Sequence, residues 1–70
     1  MKHQLSTGYG AAAETAVAME QQGRYNDAAD YWRMARHAAH STANQEWALR
    51  REEFCLIFGR RLQRAAKQAA

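Results

Sequence analysis

Proline is absent from the 70 residues, glycine occurs four times and cysteine once. Without proline, and with few glycines, little in the chain breaks a helix. The single Cys55 excludes an intrachain disulfide framework. Long apolar runs are missing too: no stretch approaches the roughly 18 residues of a membrane span. The first ten residues lack the apolar core of a secretory signal, so the expected location is the cytoplasm. Strand signals are nearly absent. Large core-forming side chains are also scarce, because much of the 47% hydrophobic content is alanine. The core must be thin and the fold all-α.

Alanine itself, present sixteen times, is the residue that costs least to place in a helix. Seventy residues make one domain, near the size where a single core supplies only about 3–5 kcal/mol. Self-association, as a homodimer, or a partner protein is therefore expected. The formal charge of +3 is uneven: residues 1–40 carry four Lys/Arg and four Asp/Glu, residues 41–70 carry six and three. Beyond Glu53 the cations Arg60, Arg61, Arg64 and Lys67 meet no acid. They suit an acidic partner or a phosphate backbone. The plainer reading is a solvated face whose cations complement the negative end of the helix dipole.

Residues 1–10 show no periodicity and read as a flexible arm ahead of one helical domain, 11–70. Ala12, Ala16 and Met19 recur at spacings of three and four, predicting a first helix over about 11–22 with a narrow face. Gly23 is a stop signal, and Asn26 and Asp27 favour a new start. The second helix, about 26–39, carries Ala28, Trp32, Ala35 and Ala39 on one stripe. Thr42 with Gln45 fits a capping box, with Asn44 a competing cap, and a third helix follows over about 44–66. At about 100° per residue, Trp47, Phe54, Phe58, Leu62, Ala65 and Ala69 fall in one arc, the expected core face. Arg51 lies within that arc, so it must pair with a carboxylate, Glu14, Glu20 or Asp30, or with backbone carbonyls, or else lay its stem on the aromatics with its head in water. Leu49 and Leu56, with Ile57 beside them, form a second narrow apolar stripe: either scattered exposed leucines or a partner seam. Gly59 either loosens this helix or ends its ordered part.

Chemistry-bearing motifs are lacking. No phosphate-binding loop accompanies Gly8 and Gly10, and His37 and His40 have no neighbours to complete a metal site. Cys55 borders the core arc and reads as an inert buried thiol, although Arg51 one turn away could lower its pKa. Neither an enzyme, a cofactor nor a metal is expected.

The run Ala16, Met19, Gly23, Tyr25, Ala28, Trp32, Ala35 resembles a tetratricopeptide-type helical hairpin, with small residues for close approach and Tyr25 and Trp32 filling the wedge. One such unit cannot bury a continuous core alone, so the third helix or a second chain must cover it. Together with Asn44, Trp47, Arg51, Phe54 and Cys55, the ordered pattern over about 11–62 resembles the ANR family, the AraC negative regulators of enteric and related Gram-negative bacteria. The resemblance implies a bacterial anti-activator that binds an AraC/XylS-type transcription activator, often one driving virulence genes, and blocks its dimerisation or DNA binding. It also implies that Tyr25, Trp32, Asn44, Trp47, Arg51, Phe54 and Cys55 maintain the fold. The expected partner surface is Leu49, Leu56 and Ile57 with Arg60, Arg61 and Arg64. The competing expectations are a small basic DNA-binding regulator acting through the C-terminal helix, disfavoured because no base-reading set is evident, and a generic helical adaptor.

Overall fold

A computed structural model describes residues 8–69 as three α-helices: α1 (Tyr9–Gln21), α2 (Tyr25–Ala38) and α3 (Thr42–Ala69). No strand occurs among the described residues. Helix α1 starts two residues ahead of the expected boundary; the rest of the expected arm lies outside the described residues. Its end is a Schellman turn: Arg24 N–H donates to Met19 O at 2.8 Å and Gly23 N–H to Glu20 O at 3.0 Å. Gly23 sits at φ +79°, where a Cβ would be strained, so it is the residue that permits the hairpin.

Two expected caps are corrected. Helix α2 begins at Tyr25, and neither Asn26 nor Asp27 caps it; Asp27 instead pairs with Arg24 at 2.8 Å in the first turn. Helix α3 begins at Thr42, two residues early, because Ser41 is the cap: its Oγ accepts from Asn44 N–H at 3.1 Å. Gln45, expected to reach a capping Thr42, donates to Ala39 O at 3.2 Å.

Helix α2 packs against both α1 and α3. The principal extents are 48 × 23 × 12 Å, the long axis set by the 28-residue α3, about 42 Å at 1.5 Å per residue. The buried residues are those that fit between neighbouring helices. They are small: Ala12 and Ala16 of α1, Ala28, Ala29 and Ala35 of α2, Ala48 and Cys55 of α3, with Trp32 the one large member. The expected stripes of the first two helices are the observed ones.

The expected core face of α3 is overturned. Its buried line is Ala48, Cys55 and Gly59, whereas Trp47 is 53% exposed, Phe54 43% and Leu62 43%; Ala65 is also exposed and Phe58 only half-buried. Periodicity found the aromatic arc, but the closest approach belongs to the small residues beside it. A Cβ on Gly59 would lie 2.6 Å from Asn26 Oδ1 and 3.4 Å from Tyr25 Cβ. Gly59 thus neither loosens nor ends the helix; it lets α3 cross the start of α2. Residues 60–68 continue beyond that crossing with every side chain exposed.

Candidate functional site

Two features stand out, a polar junction between the helices and the outward flanks of α3. The junction is centred on Glu20, in the last turn of α1. Its Oε1 accepts from Arg51 Nη2 at 2.6 Å, and its Oε2 accepts from Trp32 Nε1 at 2.7 Å, from Cys55 Sγ at 3.2 Å and from Arg51 Nε at 3.3 Å. One carboxylate therefore joins all three helices. Of the three acids expected to meet Arg51, Glu20 is the partner and Glu14 and Asp30 are not; Asp30 pairs with Arg33 at 2.6 Å. Arg51 also lies over the Phe54 ring, 4.4 Å from its centroid.

Burial alone would raise the Glu20 pKa, but hydrogen bonds from Arg51, Trp32 and Cys55 outweigh it and hold the carboxyl below its ordinary value. The same bond to Glu20 raises Arg51. Burial, then the bond to Glu20, push the Cys55 thiol up to about 12, against the weaker opposing charge of Arg51. Cys55 is a protonated donor without nucleophilic character at neutral pH. A second tie between α2 and α3 is Arg36 to Glu52 at 3.2 Å. Both junctions hold helices together.

The signature residues divide accordingly. Ala28, Trp32, Ala35 and Cys55 are buried; Tyr25 meets Phe58 edge-on with centroids 4.8 Å apart, and Phe54 stacks on Phe58 at 5.6 Å. Asn44 donates its backbone N–H at the cap. Trp47 alone among the aromatic signature residues stands more than half in solvent. The grooves are open; one of about 420 Å³ is lined by Arg36, His37, Thr42, Gln45, Glu46 and Leu49. No group of three or more His, Cys, Asp or Glu able to hold a metal occurs among the described residues, and no described helix is long and apolar enough to cross a membrane.

What remains is the outer surface of α3. On one flank stand Trp47, Phe54 and Leu62, with Arg50 and Arg61 beside them; on the other stand Leu49, Leu56 and Ile57. Arg60, Arg64 and Lys67, with Gln63, line an open basic groove toward the C-terminus. All six residues expected to form the partner surface are exposed. Sequence reading missed the aromatic flank, having placed it inside; the signal was the small-residue line Ala48, Cys55, Gly59 next to it.

The comparisons with known proteins are sparse. No family model matches the chain, and no solved structure matches it. It is similar to an uncharacterized protein of the Mu-like prophage FluMu region in Haemophilus influenzae, 46% identical over 43 residues. That match covers 61% of this chain and 58% of the relative.

Proposed function

We propose that the protein is a non-catalytic binding module that restrains an AraC/XylS-type transcription activator by occupying a surface the activator needs for dimerisation or DNA engagement. The observation that carries this reading is the inversion of α3: small side chains face α2 while Trp47, Phe54 and Leu62 on one flank are exposed. Covering a large apolar side chain contributes about 1.5–3 kcal/mol, which the isolated chain leaves unrealised. A contiguous apolar flank with a polar rim is the anatomy of a protein-binding surface. Trp and Arg are also the residue types that dominate binding energy, and here Trp47 is set near Arg50 on the same side of α3. The activator class comes from the likeness to the AraC negative regulators. On this reading Trp47 and Phe54 are the anchors, and the protein works without touching DNA.

The test is capture of a host AraC/XylS-type activator by the purified chain, with Trp47→Asp as the control. Trp47 is more than half exposed, so the substitution leaves helicity intact; binding by the wild type and its loss in the variant are expected. Failure of the wild type to retain any such activator overturns the reading. A second reading, phosphate-backbone binding, is favoured by Arg60, Arg64 and Lys67 lining one groove with no ion pair among the described residues. It demands a mobility shift that weakens steeply with salt; no shift at low salt removes it.

A further inference from the structure

We infer that two copies of this chain pair through α3, antiparallel, with the two-fold axis passing between Leu56 and Ile57. The inference is independent of the activator and uses the other side of α3 from Trp47 and Phe54.

At about 100° per residue, Glu46, Leu49, Glu53, Leu56, Ile57, Arg60, Arg64 and Lys67 fall within one arc of about 100° that runs from beside the buried line of Ala48 and Cys55 to the far side of α3, with Arg50 at its rim next to Ile57. All of them are exposed. The acids, Glu46 and Glu53, lie N-terminal to the apolar centre and the cations lie C-terminal to it. None of Glu46, Glu53, Arg60, Arg64 and Lys67 forms a salt bridge among the described residues, although Glu20, Asp27, Asp30 and Glu52 all do. The edge therefore carries unpaired charge of opposite sign at its two ends.

Such a pattern is self-complementary under one symmetry only. A two-fold axis between Leu56 and Ile57 sets Leu56 of each copy against Ile57 of the other, Glu53 against Arg60, and Glu46 against Lys67. Leu49 then receives the aliphatic stem of Arg64. No like charges are opposed, and the contact is isologous, so it closes. A parallel pair in register sets Glu53 on Glu53 and Arg60 on Arg60, which repel. The stretch from Glu46 to Lys67 is about 33 Å long at 1.5 Å per residue. One helix face of that length falls at the low end of stable interfaces, so the dimer is concentration-dependent and weakened by salt.

Sedimentation equilibrium of the full chain tests the register. The wild type is expected to dimerise, and Glu53→Arg and Arg60→Glu each to weaken dimerisation at least about tenfold, because each creates two like-charge pairs per dimer. Mixing the two variants, or combining both changes in one chain, restores opposite charges and is expected to restore the dimer. Circular dichroism of each variant verifies folding; both residues are exposed, so unchanged helicity is expected. A wild type that stays monomeric at high concentration, single variants that dimerise as well as the wild type, or a combined variant that does not recover would each overturn the inference. Loss of dimerisation leaves Trp47 untouched, so activator capture by these variants separates this inference from the proposed function.

Discussion

Glu20 is the residue on which the arrangement of the three helices turns. Its carboxylate receives Trp32, Arg51 and Cys55 from two other helices, and bonds to a charged acceptor contribute about 1.5–3 kcal/mol apiece when made and leave unpaired donors when lost. Glu20→Gln keeps the shape but removes the charge opposite Arg51; a loss of about 2–3 kcal/mol in urea unfolding is expected. The same network sets the pH profile. Because the folded Glu20 pKa lies below the ordinary 4.5, the unfolded chain binds the proton first. Stability is therefore complete above that value and falls as pH drops from there through the folded pKa. At the alkaline end Cys55 acts in the opposite sense: its pKa is raised from 9.0 to about 12, so its contribution is present below pH 9.0 and lost as pH rises toward about 12. Denaturant midpoints measured across pH in wild type and Glu20→Gln check this: the acid limb should flatten in the variant.

At the scale of elements, the two expected stripes of α1 and α2 were readable because their apolar residues, small except for Trp32, lie on the buried side. Ala12 with Ala16, and Ala28 with Trp32 and Ala35, give one answer whether judged by period or by size. In α3 the two criteria part. Hydrophobicity points to Trp47, Phe54 and Leu62, while closeness of approach points to Ala48, Cys55 and Gly59, and a single sequence does not say which governs. The geometry of the neighbour decides: the small-residue line lets α3 lie on α2 and brings Arg51 to Glu20 and Glu52 to Arg36. Arg51 was legible as a residue needing a carboxylate, since a guanidinium near a core face has few alternatives, but its partner was one of three. The Ser41 cap was missed because Ser41, Thr42 and Asn44 all suit the role, and the choice depends on where α2 ends. Two consequences follow for this crossing. Ser41→Ala should cost about 1 kcal/mol. Gly59→Ala should lie within about 0.5 kcal/mol of wild type, since Asn26 is exposed and its side chain can swing aside while alanine favours the helix; Gly59→Leu should cost about 2 kcal/mol by pushing α3 off Tyr25. Thermal unfolding of the three variants separates these outcomes.

At the scale of the whole molecule, three helices meet at one carboxylate over a core of small side chains. Large apolar side chains stand on the outer flanks of its longest helix. The size of the chain led to the expectation of a companion; the proposals put a different protein on the aromatic flank and a second copy on the charged edge. The most direct measurement is fluorine NMR of chain labelled with fluorotryptophan, with the resonances assigned by Trp47→Phe and a soluble paramagnetic agent added. The account predicts that the Trp47 signal broadens strongly in the free protein and is protected by a bound activator, while Trp32 is shielded throughout. Equal shielding of both indoles in the free protein would place Trp47 inside and contradict it.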